Sequence, residues 1–253
     1  MFSALPEIQF VAIALAVGFV GGVVKGIVGF ALPIIVVSGL SLFFPPHLAI
    51  AGLMIPSMLT NTWQALRQGP REAAKSLWKV RILFGVSIVT LFVVAGFVPG
   101  LPETALYLSL GVPVALFSLI QMAGWRPQFS PDNLLVKVIA GALTGLFGGL
   151  AGVVAPPVVV YLNAVNTPKV EHVRTQGVVF ALFIIVFTFA HFRTGFFQVE
   201  GLVMSAILAI PALIGTYVGF SIQDRVDQKT FQKLTLIVLL LAGLNLIRRG
   251  VFG

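Results

Sequence analysis

The chain has 253 residues, 58% of them hydrophobic and only 9% charged, against roughly 25% charged in an ordinary soluble domain. That balance excludes a water-soluble fold, which has no means of covering so much apolar surface. There is no cysteine, which excludes disulfides, thiolate metal sites and a cysteine nucleophile. The net charge of +8 comes mostly from Lys and Arg in short loops between apolar runs. This placement fits topology determinants rather than a nucleic-acid patch, so the bilayer is the expected macromolecular environment and no nucleic acid is expected.

About 20 apolar residues cross a bilayer core at 1.5 Å per residue. The first such run, 8–27, carries Gly18, Gly22 and Gly26. More apolar chain follows it instead of a cleavage site and a polar domain, so it reads as a structural helix and not a signal peptide. Lys25 stands directly before the helix-breaking stretch Gly26-Ile27-Val28-Gly29-Phe30-Ala31-Leu32-Pro33, and the next apolar run, 30–44, is too short to span. Runs of spanning length follow at 48–66, 82–98 and 103–122. The basic loop from Arg67 to Arg81 separates the first two. In it Arg71, Lys75 and Lys79 recur every four residues beside Trp78, a helical face suited to the headgroup region.

The polar stretch Gly124 to Asn133 contains two prolines and reads as a linker. After it the order returns: a glycine-bearing run at 138–151, a break at Gly149-Leu150-Ala151-Gly152-Val153-Val154-Ala155-Pro156-Pro157, a short run at 153–165, then long runs at 175–192, 201–221 and 234–247. An offset of 123 aligns Gly18, Gly22, Gly26, Gly29 and Pro33 with Gly141, Gly145, Gly149, Gly152 and Pro156. It also aligns Ala95-Gly96-Phe97 with Val218-Gly219-Phe220. The chain therefore divides into a first transmembrane repeat over 1–122, a cytoplasmic linker over 123–133 and a second repeat over 134–253.

In each repeat the short helix of roughly 12–14 residues covers only about 20 Å, so the broken pair is drawn as a hairpin that returns to its own side. Three full crossings then remain per repeat, and the second repeat must be inverted. That arrangement places Arg67, Arg71, Lys75, Lys79, Arg81, Arg126, Lys137, Lys169, Arg174, Arg225, Lys229 and Lys233 in the cytoplasm, with only Arg193, Arg248 and Arg249 outside. Parallel repeats would give ten against five, so the positive-inside rule favours inversion. The expected fold is an all-α integral membrane protein of two inverted repeats, each a broken glycine-rich hairpin followed by three transmembrane helices.

A break near the midplane, once in each inverted repeat, points to the substrate site of a secondary transporter. A half-helix starting inside the membrane offers unpaired N–H groups and the positive end of its dipole to an anion. The same glycines, at four-residue spacing, also permit close helix packing. Lys25 is costly inside the membrane unless a partner or a wet cavity compensates it, and no Asp or Glu falls in the middle of an apolar run. A buried lysine without an internal carboxylate suits an anionic ligand.

Thr60, Asn61, Thr62 and Gln64 after the first hairpin, and His172, Thr175 and Gln176 after the second, could donate hydrogen bonds to an oxyanion or join helices to one another. The expected substrate-binding set is Lys25, Gly26, Gly29, Phe30, Pro33, Asn61, Gly149, Gly152, Pro156, Pro157, Thr175 and Gln176, with no catalytic or metal-binding residue and no cofactor.

Over the whole chain these segments resemble the sulfite exporter TauE/SafE family, also described as toluene-sulfonate uptake permeases. The carriers are Gly18 to Pro33, Gly141 to Pro157 with its doubled proline, Thr175, and Gly215 with Gly219. The first repeat departs from the pattern at Gly52, opposite Thr175, and at the single Pro33 opposite Pro156-Pro157. The resemblance implies a multi-pass permease of a bacterial or archaeal cell membrane carrying sulfur oxyanions, organosulfonates or related small anions. Coupling to protons or another ion and assembly into a homo-oligomer are both compatible with it.

Two readings from other classes compete. An enzyme would need paired acids, a metal cluster or a nucleophile with its base, which three scattered histidines do not supply. A structural or assembly subunit would use the glycine-rich helices for packing alone.

Overall fold

The computed structural model describes residues 8–40, 43–44, 46–95, 103–125, 128–151, 154–192 and 199–252. Among these the regular structure is all helical: α1 (Ile8–Val28), α2 (Leu32–Leu40), α3 (Pro46–Ala51), α4 (Met54–Leu66), α5 (Pro70–Ala95), α6 (Glu103–Met122), α7 (Leu134–Ala151), α8 (Ala155–Ala164), α9 (Lys169–Phe192), α10 (Val199–Arg225) and α11 (Gln228–Phe252). Among the described residues, four helices contain stretches long and apolar enough to cross a membrane, Val11–Val28, Pro70–Val94, Glu200–Arg225 and Gln228–Phe252. The expected loops at 99–103 and 193–200 lie largely outside the described residues.

The helices form two compact units that do not follow the sequence halves. One comprises residues 1–67 and 180–226, the other 68–179 and 227–253. Each unit is built around a glycine helix of one repeat packed on a long helix of the other. In the first unit, a Cβ on Gly22 would lie 2.3 Å from the Ala212 carbonyl oxygen and one on Gly26 2.4 Å from that of Thr216. In the second unit, a Cβ on Gly145 would lie 2.3 Å from the Ser87 carbonyl oxygen. At such points the helix backbones themselves touch, which only the smallest residue permits.

These contacts fix directions and register. Gly18, Gly22 and Gly26 meet Leu208, Ala212 and Thr216 in turn, and Gly141, Gly145 and Gly149 meet Leu83, Ser87 and Leu91. Both pairs, α1 with α10 and α7 with α5, therefore run parallel. The glycine helices correspond at an offset of 123 (141 − 18), but their partners correspond at 125 (208 − 83, 212 − 87, 216 − 91). The alignment of Ala95-Gly96-Phe97 with Val218-Gly219-Phe220 is thus two residues out of packing register; Val94, which faces Gly149, is the counterpart of Gly219, which faces Gly26. In the second unit α6 and α11 also pack closely, with Gly111 against Gly243 and Leu108 against Gly250. Residue numbers fall on one helix as they rise on the other, so this pair is antiparallel.

The short helices are shorter than expected, nine residues in α2 and ten in α8. α2 folds back along α1, with Leu32 and Val36 against Gly21 and Gly39 against Val17, so the first broken pair is a hairpin. Leu32, Val36 and Leu40 join Ala14, Leu53, Leu208 and Ala212 in one buried cluster.

The single span expected over 48–66 is instead two helices, α3 and α4, separated at Gly52-Leu53. A Cβ on Gly52 would stand 3.0 Å from both Leu208 and Met204. The interruption frees amides at the start of α4, and the Ser205 hydroxyl of α10 accepts one of them, from Ile55, at 2.8 Å. The matching stretch of the second repeat runs unbroken through Thr175 as α9.

Candidate anion site at the first helix break

Lys25 lies in the last turn of α1 and is 2% exposed. Its ammonium donates to the side-chain carbonyl of Asn61 on α4. Among the described residues no carboxylate pairs with it. One turn along α4, the Gln64 amide donates to the Gly29 carbonyl at 3.0 Å, tying α4 to the break itself. Ser57, Thr60, Asn61 and Gln64 are all buried, and their spacing of three and four residues puts them on one face of α4. The Thr60 hydroxyl is already donated to the Pro56 carbonyl at 2.7 Å, so it stabilises its own helix.

The break is made by Gly29 and Ala31, with φ of 89° and 82°. Glycine accepts this left-handed backbone without penalty, but alanine does not: Ala31 carries strain of about 1–2 kcal/mol. Strain of this kind persists where the surroundings over-determine it, commonly at ligand sites. Between the two lies Phe30, 1% exposed. Pro33 is the second residue of α2, where its missing N–H costs no intrahelical bond, and it is exposed.

The first unit thus brings together Lys25, Gly29, Phe30 and Asn61 from the expected set and adds Gln64 as a brace. The signal for Gln64 was its position three residues after Asn61. Gly26 is turned to α10, where it packs on Thr216 and Gly219. Gly219 is the twenty-first of the 27 residues of α10, six residues or about 9 Å along the helix from its end at Arg225. The break therefore sits off the centre of that helix, because α1 runs 21 residues before it yields.

Beyond it, at the ends of α4 and α10, Arg67 pairs with Asp224 at 2.5 Å and with Gln223 at 3.0 Å. Its guanidinium lies 4.4 Å from the centre of the Phe220 ring, which Trp63 meets edge-on. The loops that follow α4 and α10 are thus bridged at one end of the first unit.

The remaining expected residues belong to the second unit. Gly149 packs on Leu91 and Val94 of α5. Pro156 and Pro157 are buried in the first turn of α8, and Gly152 lies outside the described residues. Thr175 and Gln176 are buried in α9. The position matching Lys25 is Gly148 (25 + 123), so this break carries no charge of its own. His172 is buried against the Phe231 ring.

The glycine-rich helices, the hairpin and the duplicated order describe one kind of protein, and the profile of the family Sulfite exporter TauE/SafE matches residues 14–246. The chain belongs to the sulfite exporter TauE/SafE family. Members of this family are membrane permeases and not enzymes, and the chain is accordingly a multi-pass membrane transporter. Comparison with curated proteins and with solved structures gives no match.

Proposed function

We propose that this TauE/SafE protein is a permease for small anions, of the sulfur oxyanion or organosulfonate class with sulfite as the simplest case, and that Lys25 is the positive group that holds them. The observation that carries the reading is the pairing of Lys25 with a neutral amide. Asn61 satisfies one of the three N–H bonds of an ammonium and leaves the charge uncompensated, so an anion completes the site. Asn61 positions the ammonium, while the backbone from Gly29 through Phe30 lets the ligand approach the start of α2. In the second repeat, Gly149, Gly152, Pro156, Pro157, Thr175 and Gln176 are proposed as uncharged contacts of the same kind to an anion.

The antiparallel packing of α6 on α11 supports inverted repeats, since these helices hold the same place in the two halves and would be parallel if the halves were. Most of the basic segment expected as a loop over 67–81 is the first part of α5, which starts at Pro70, and the Arg67–Asp224 bridge supports placing the ends of α4 and α10 on one side. Single cysteines in this cysteine-free chain test it: an impermeant reagent applied to intact cells should label Gly100→Cys and spare Arg225→Cys. Equal labelling of the two would refute inversion.

The function is tested by sulfite, thiosulfate and sulfonate binding to purified protein. Lys25→Met should remain folded and lose about tenfold or more in affinity, the scale of a charge-assisted hydrogen bond. Lys25→Arg should retain part of it, because the charge persists in another shape. Unchanged affinity in Lys25→Met removes the residue from the site. A protein that binds none of these anions would put its substrate in another class.

A further inference from the structure

In the second unit, the end of α6 and the start of α11 enclose an open cleft of about 260 Å³ lined by Met122, Lys229, Thr230, Lys233 and Leu236. Lys229 and Lys233 are one helical turn apart and so share a face. Both are exposed, and neither forms an ion pair among the described residues. The nearby acid, Asp227, is committed to capping α11: its carboxylate accepts the Thr230 amide at 2.7 Å and the Thr230 hydroxyl as well. Lys229 feels the Asp227 carboxylate electrostatically without forming an ion pair with it, and both ammonium groups are open to an outside anion.

What lies beside them selects the kind of anion. Seven and eleven residues beyond Lys233 on the same face come Leu240 and Leu244, half-buried and exposed. On α6, Met122 and Leu119 are exposed as well. Because α6 and α11 pack antiparallel, these side chains form apolar walls that run from the cationic cleft along the membrane-spanning length. A small soluble anion would use the lysines and leave the walls idle, and a zwitterionic lipid, whose own cation offsets its phosphate, would gain little from two cations that form no ion pair among the described residues.

We propose that this cleft binds the phosphate headgroup of an anionic phospholipid, with Lys229 and Lys233 as the charged contacts and the flanking faces of α6 and α11 carrying its acyl chains. The site is separate from Lys25 and does not depend on the transport reading. It would anchor the α6–α11 pair at the membrane surface, where basic groups near anionic lipid each strengthen binding about fivefold.

The experiment titrates purified protein in neutral detergent with phosphatidylglycerol, with phosphatidylcholine of the same acyl chains, and with inorganic phosphate, following the melting temperature, which rises when a ligand binds the folded state. Phosphatidylglycerol should raise it and the other two should not. Lys229→Gln and Lys233→Gln should each weaken the phosphatidylglycerol response about fivefold and together about 25-fold, while the double arginine variant keeps it. The single variants decide the matter should the double glutamine variant prove unstable. Equal responses to both lipids, a response to phosphate alone, or unchanged affinity in both glutamine variants would overturn the proposal.

Discussion

The two hairpins of this transporter are built by the same packing and differ in what they place at the break. Each opens with a glycine helix whose backbone lies on a long helix of the other repeat, in matching register, through Gly22 on Ala212 and Gly145 on Ser87. The first break then presents a buried lysine, an asparagine partner and a strained alanine, whereas the second has Gly148 at the lysine's place and two buried prolines. The helix after the first hairpin is interrupted at Gly52, and its counterpart runs through Thr175. The two breaks thus share the contacts that hold the helices together and differ in their chemistry, since close backbone packing tolerates no side chain while a break tolerates several.

The largest expected effect tests the shared part. Gly22→Val and Gly145→Val would each push a side chain into a carbonyl 2.3 Å from the new Cβ, with a cost of more than about 3 kcal/mol. Both variants should fail to yield monodisperse protein, and a well-behaved Gly145→Val would show that the repeats do not rely equally on this contact. Next comes the site. The loss of tenfold or more in anion affinity expected for Lys25→Met should exceed the loss for Thr175→Ala, because one removes a charge and the other at most a neutral hydrogen bond. Isothermal titration of the two variants ranks them, and the reverse order would move the centre of the site to the second repeat.

The interrupted helix gives an intermediate effect. Gly52→Thr makes the first repeat resemble the second at a position where Leu208 and Met204 already stand 3.0 Å from the would-be Cβ. Overpacking should cost about 1–3 kcal/mol, seen as a lower melting temperature; a rise would mean that the continuous helix is the preferred state in both repeats. Ala31→Gly should act oppositely, relieving about 1–2 kcal/mol of left-handed strain, and a fall in melting temperature would mean that the alanine methyl packs well enough to offset it.

The smallest effect concerns the start of α11. Hydrogen bonds from the Thr230 hydroxyl and amide hold the Asp227 carboxyl below its usual value of 3.8. Its stabilisation is therefore present above that pH and fades as pH falls through the lowered value. Asp227→Asn should flatten the acid end of the melting profile with little change at neutrality, and identical acid profiles would show that the cap is unimportant.

Much of this was set by local chemistry and could be read from the chain. The lack of charge over long runs demands membrane helices, because an unpaired charge in hydrocarbon is costly. The glycine spacing and its repetition after 123 residues mark the packing helices, and Lys25 beside a break marks a candidate site. Other features depend on which helices meet, and periodicity holds no record of that. Assignment of each glycine helix to the opposite repeat, the antiparallel α6–α11 pair and the 125-residue register of α5 against α10 come from backbone contacts. The interruption at Gly52 also needed its neighbours. Glycine is tolerated inside many helices, and only Leu208, Met204 and the hydroxyl of Ser205, distant in sequence and adjacent in space, make it the point where the helix starts again.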